Sequence, residues 1–299
     1  YAVDNNGNDI MDDDDYFLWY GTGPTKFNYV KSTQSYDAIG HDFDISAYYF
    51  ITWDSPANGK RITTSPANDG ISTDAIITTY EHIVYHESNE QNHIQSGRKW
   101  WGDMMQITTF KNFNYNISNV ATSEKVGVRS IVTARTLRGF TAGMTLRLGD
   151  SLIRSITFNT VDGSYDERYA DRPTTMTKNV GVQDGNLTLA YDFSKTLNEA
   201  AAWIDYHVLT VPRKLIDNGE QQIIRINRKT EIGNLQYNIE QLNAQSFIWD
   251  ITDHINVSRQ ATYSNGTFSS FKVANVATDM KPRFILASAN NAKIPGFIG

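Results

Sequence analysis

The chain has 299 residues, 40% hydrophobic and 20% charged, with a formal net charge of −6; that balance supports a packed core, suits one large or two medium domains and excludes a disordered chain. Its scattered basic residues give no electrostatic footprint for a phosphate backbone, so nucleic acid is not an expected partner. The absence of cysteine removes disulfides, thiolate zinc sites and thiol catalysis together.

The opening stretch, Tyr1–Asp15, is dense in Asp, Asn and Gly and reads as a loop. Tyr16-Phe17-Leu18-Trp19-Tyr20 then forms an aromatic run closed by Gly21-Thr22-Gly23-Pro24, the pattern of a core strand ending in a turn. Ala47–Trp53 repeats it and stops at Asp54-Ser55-Pro56. From Ser72 to Gly102 turn residues thin out, and His82, Val84, Glu87 and Gln91 suit a short helix followed by a loop, expected to divide two β regions.

From Met105 onward short strands alternate with Asn-, Asp- and Gly-bearing turns. Leu187, Leu189, Tyr191 and Phe193 alternate with Thr188, Ala190 and Asp192, and Leu235, Tyr237 and Ile239 alternate with Gln236, Asn238 and Glu240, as strands with one buried face should. Lys195–Ala202, rich in helix formers, is expected to make a single helical turn ahead of Trp203. The expected class is all-β: a β-sandwich of jelly-roll type over residues 103–299, preceded by a smaller β-rich region over residues 1–102. No apolar run reaches the roughly 20 residues that a membrane-spanning helix needs, so no transmembrane segment is expected. Tyr1 and Gly299 are both expected to be cuts within something longer.

The chemistry-bearing residue types are present without the spacings that catalysis or metal binding needs. His82 and His86 would share a helical face, but His86 and His93 would lie about 10 Å apart along the axis, too far for one zinc ion. The acidic start, Asp4 to Asp9 and Asp12 to Asp15, invites a calcium reading, yet Gly7 sits in the fourth rather than the sixth loop position and position twelve is not Glu. Ser151 follows Gly149-Asp150 without the second glycine of a nucleophile elbow. Among 33 acidic residues a hydrolytic pair of carboxylates stays open, because only separation in space would reveal it. The matches at Asn116, Asn186, Asn256 and Asn265 to the glycosylation acceptor are close to chance in so Asn- and Thr-rich a chain. No catalytic residue, metal ligand or cofactor is therefore assigned. Arg98, Trp100 and Trp101 form the best local candidate for an interaction surface. Trp203, Asp205, Arg213 and Trp249 are assigned to the scaffold: the two rings as anchors, and Asp205 with Arg213 as a pair across a strand and its turn. Exposed aromatics would also suit a carbohydrate-binding or adhesin module, the alternative reading.

Several segments, in order, resemble the amino-terminal, pre-catalytic region of the sortases of Type IX secretion, gingipain-like cysteine peptidases of Bacteroidetes. They are Tyr16–Tyr20 running into Gly21 to Phe27, where the family typically has Trp at the last position, and Ala47 to Thr52. Further matches are Tyr85-His86-Glu87 through Asn92 to Ser96–Gly102, then Trp203 to Tyr206, Pro212 to Leu215, and Ile248 to Asp253. None is a catalytic motif. The resemblance implies a non-catalytic scaffold or docking region, with the peptidase domain, its His and its Cys following Gly299. It also implies an exported protein at the cell surface and outer membrane, with an outer-membrane barrel partner and exported cargo proteins as its contacts.

Overall fold

The structure, a computed structural model, describes residues 2–3, 16–41, 44–50, 62–95, 99–164, 167–279 and 281–296. In chain order the strands are β1 (Ala2–Val3), β2 (Tyr16–Phe17), β3 (Lys26–Val30), β4 (Ser35–Ile39), β5 (Thr63–Ser65), β6 (Ala75–Ile77), β7 (Thr79–Glu87), β8 (Gly102–Met105), β9 (Phe110–Asn116), β10 (Val126–Arg135) and β11 (Ala142–Leu148). They continue as β12 (Ser151–Thr157), β13 (Thr174–Val180), β14 (Asn186–Lys195), β15 (Ala201–Lys214), β16 (Gln222–Ile224), β17 (Gly233–Glu240), β18 (Ser246–Asp250), β19 (Ser258–Gln260), β20 (Tyr263–Asn265), β21 (Phe268–Val276) and β22 (Phe284–Ser288). The helical element among the described residues is one 3-10 turn, Ala289–Asn291. The chain is all-β, as its composition indicates, and no helix among the described residues is long and apolar enough to cross a membrane.

The chain divides into two compact units, both discontinuous in sequence. One comprises residues 1–24, 44–81 and 214–299; the other comprises 25–43 and 82–213. This corrects the expected order of a small region over 1–102 followed by a sandwich over 103–299, because early strands contribute to each unit. β5 pairs with β19 and β6 with β17, both in parallel, so the unit that holds residues 214–299 cannot be completed from those later residues alone.

The unit built on 82–213 is a jelly roll. One sheet has the order β13-β10-β15-β7, with β8 also on β15; the other has the order β12-β11-β14-β9. Taken in sequence from β7, the strands cross between the sheets in the pattern of two Greek keys. The alternation read in β14 is the structural one: Leu187, Leu189, Tyr191 and Phe193 are buried, with Met144, Leu146 and Leu148 of β11 in the same core. Val126, Val128, Val132, Ile204, Leu209 and Val211 supply the opposite wall, each worth about 1.5–3 kcal/mol when fully buried. The β3–β4 hairpin lays Phe27, Tyr29, Tyr36 and Ala38 over Ile131, Tyr206 and Val208 on the outer face.

The helix expected after Ser72 is strand β7 instead. Thr79, Tyr80, Ile83, Val84 and Tyr85 are β-branched or aromatic, and Val84 joins the inner core while Ile83 and Tyr85 join the outer cluster, a period of two. The helical turn expected before Trp203 is a tight turn from β14 to β15, in which Lys195 Nζ donates to the carbonyls of Asn198 and Ala200. Ala200 and Ala202 then enter the core, where their small side chains fit.

The other unit is also a sandwich, of a β16-β22-β18-β19-β5 sheet and a β20-β21-β17-β6 sheet. Ile77, Leu235, Ile239 and Leu286 fill it around Tyr237 and Phe271, whose rings stack 4.8 Å apart.

Candidate functional site

In the jelly-roll unit, the crossing from β7 to β8 is tied to β15. Gln91 N and Glu90 N donate to the Trp101 carbonyl, and Trp101 N donates to the Gln91 carbonyl, which closes the loop on itself. Trp203 Nε1 donates to Gln91 Oε1 at 2.8 Å, anchoring the loop to β15. Trp101 and Trp203 are both buried, and the His93 ring stacks on Trp101 at 5.5 Å and meets Trp203 edge-on at 4.3 Å. Burial, and then the nearby Arg135, lowers the His93 pKa to about 4.

Beside this aromatic box, β15 carries a bulge. Ile131 of β10 faces Tyr206 while the next residue, Val132, faces Ile204, so Asp205 is the extra residue and its carboxylate is re-aimed. Asp205 is buried and pairs with Lys99, whose ammonium also lies 5.0 Å from the centre of the Trp101 ring. Burial raises the Asp205 pKa, Lys99 opposes the rise, and Glu87 and Asp37 add to it. Tyr206 donates to Asp37, Tyr85 donates to Glu87, and Arg129 Nε donates to Asp37 at 2.9 Å. Carboxylates, tyrosines and cations here satisfy one another, and among the described residues no cluster of His, Asp or Glu fit to hold a metal ion forms.

A second polar network crosses between the two sheets at the edge where β7, β8 and β9 lie. His86 Nε2 donates to Asp103 Oδ2 at 2.6 Å and Lys111 Nζ donates to Asp103 Oδ1 at 2.7 Å. His207 on β15 is fully buried, with its Nε2 2.5 Å from the Tyr115 hydroxyl, its ring stacked 5.0 Å from that of His86, and Phe113 edge-on at 4.6 Å. Burial and then His86 lower the His207 pKa to about 3, and burial with Asp103 pushes Tyr115 up to about 12. Burial would raise Asp103, but the hydrogen bonds from His86 and Lys111 outweigh it and hold that carboxyl below its usual range.

Of the residues singled out in the sequence, Arg98 lies outside the described residues. Trp100 is 43% exposed whereas its neighbour Trp101 is buried, so among the described members of that candidate surface only Trp100 is open to a partner. Asp205 and Arg213 do not pair: both lie on β15, and Arg213 donates to the Ser118 carbonyl at 2.9 Å and to the Ser118 hydroxyl at 2.6 Å. Trp249 is buried in the other unit, on the outer face of the five-stranded sheet with Ile285, Leu18 and Tyr20. A groove of about 960 Å³ opens there, lined in part by Trp19, Tyr49, Phe247 and Trp249. His82 and His86 are not a ligand pair, because four residues along a strand span roughly 13 Å. The acidic residues Asp4 to Asp15 lie outside the described residues. The His86–Asp103–Lys111 and His207–Tyr115 contacts were not foreseen; partners 8 to 92 residues apart leave no local periodicity to read.

No family model matches the chain, and no curated protein matches it. Among solved structures it is similar to dimeric latent PorU from Porphyromonas gingivalis, with a TM-score of 0.78 and 16% identity, over 94% of this chain and 27% of that one. A carbohydrate-binding module, CBM36 in complex with calcium and xylotriose, overlaps 44% of this chain and 99% of its own, with 13% identity and a TM-score of 0.27. The insecticidal delta-endotoxin Cry8Ea1 from Bacillus thuringiensis overlaps 33% of this chain and 17% of its own, with 15% identity and a TM-score of 0.25. This chain thus has a PorU-like fold over nearly its whole length, and spans 27% of the length of that PorU chain.

Proposed function

We propose that the chain is a non-catalytic scaffold and docking region of a larger exported, PorU-related cysteine peptidase of Type IX secretion, positioned ahead of the peptidase domain. The observation that carries this reading is the likeness in fold to PorU over 94% of the chain, with a TM-score of 0.78. The use of the polar groups agrees with it: Asp205, Glu87, Asp37 and Asp103 are bound to Lys99, Tyr85, Tyr206, Arg129, His86 and Lys111 within the fold. In this reading the region holds the downstream domain, and it contacts an outer-membrane barrel partner and exported cargo at the cell surface. Trp100 is the side chain assigned to such contacts.

The native gene and the purified chain test it together. The reading frame is expected to continue past Gly299 into a domain with a catalytic His and Cys, and residues 1–299 alone are expected to cleave no peptide substrate. A stop codon or an unrelated domain there, or peptide or glycoside cleavage by the 299 residues at enzymatic rates, overturns the proposal.

A further inference from the structure

The edge shared by the two sheets of the jelly roll is stitched by a titratable group set in an apolar wall. His207 is fully buried on β15, and its Nδ1 has no hydrogen-bond partner. The groups that face it come from four strands: His86 of β7, Asp103 of β8, Lys111, Phe113 and Tyr115 of β9, and Tyr191 of β14. The carboxylate among them, Asp103, already accepts from both His86 and Lys111. A proton added to His207 therefore places a charge in the core, 5.0 Å from a second imidazole ring, with no acceptor for Nδ1–H. Once the edge opens, the ring is hydrated and takes up a proton at about pH 6.5.

We propose that His207, stacked on His86, is a proton-operated clasp, which lets the edge made by β7, β8 and β9 open locally below neutral pH while the remainder of the jelly roll stays closed. The edge is built to part first. β8 has four residues and pairs with β15 at two positions, Met105 with Ala202 and Gly102 with Ile204, and β9 pairs on one side only. The lowered His207 pKa, about 3, agrees with this geometry. Because the open form binds a proton that the closed form excludes, opening is favoured roughly 30-fold at pH 5 relative to neutral pH.

The test is amide hydrogen exchange on the full chain at pH 7.5 and pH 5.0, corrected for the intrinsic pH dependence of exchange. Residues 82–87, 102–105 and 110–116 are expected to lose about 30-fold of protection at pH 5.0, while β11 and β12 keep theirs, and His207→Gln is expected to abolish the difference. Equal loss across all strands, or none, overturns the clasp. Should His207→Gln fail to fold, NMR titration of the wild-type His207 ring decides: silence above pH 5 is expected, and a folded-state titration near pH 6.5 refutes the idea.

Discussion

Lys99 and Asp205 show how a residue can look like a binding feature and act as structure. Lys99 leaves much of its stem in solvent, yet its ammonium neutralises a carboxylate that the β15 bulge has pushed into the interior beside Glu87 and Asp37. Removing a partner from a buried charge costs more than the pair contributes, on the order of 3–5 kcal/mol for a fully buried pair and less here because Lys99 is half exposed. Lys99→Met is therefore expected to destabilise the protein by about 1–3 kcal/mol at pH 7. The sign with pH follows from the raised Asp205 pKa: the folded state holds its proton more tightly than the unfolded one, so stability falls as pH rises from the ordinary Asp value through the folded one. Without Lys99 that rise is larger, so the loss should be smaller at pH 4 than at pH 7. Urea unfolding of both proteins at the two pH values measures it, and an equal loss at both would refute the argument.

At the level of elements, the β7–β8 crossing depends on close approach of backbone. A Cβ on Gly102 would stand 2.0 Å from the Ser88 carbonyl oxygen, and a backbone atom cannot swing aside as a side-chain tip can. Gly102→Ala is expected to cost at least about 1–3 kcal/mol and to loosen the aromatic box. A fall in the urea midpoint together with a red shift of Trp emission would register both, and wild-type behaviour would count against this packing. The sequence showed strands whose apolar and polar residues alternate, as in β14 and in β17, where the polar Gln236 and Asn238 are buried as well and hydrogen-bond to each other. It hid β7, because Ile83 and Tyr85 are covered by the β3–β4 hairpin while Val84 faces the main core, so apolar residues occur on both faces and the polar alternation is lost. Trp203 as an anchor was legible from its size and its strand context, but Gln91 as its partner, 112 residues away, was not. Asp205 and Arg213 lie eight residues apart on one strand, and the bulge between Ile131 and Val132 that re-aims Asp205 has no sequence mark.

Across the whole molecule, the jelly-roll class could be read from the train of short strands after Met105, but the partition of the chain could not. Contiguity is the default assumption for domains, and here it fails because strands from the first third complete sheets made later. The 214–299 part of one unit needs β5 and β6 as parallel partners for β19 and β17, and Ile77 of β6 is fully buried in its core. In the other unit, the strands from β9 to β15 need β7, β8 and the β3–β4 hairpin, which covers Tyr206 and Val208. A fragment of residues 103–299, the domain boundary that the sequence suggests, would leave the long strand β15 without β7 and expose the outer face of its sheet. It is expected to lack near-UV circular dichroism and a cooperative urea transition, whereas the full chain shows both. Cooperative unfolding of that fragment with native-like near-UV signal would mean that the early strands decorate two folds rather than complete them.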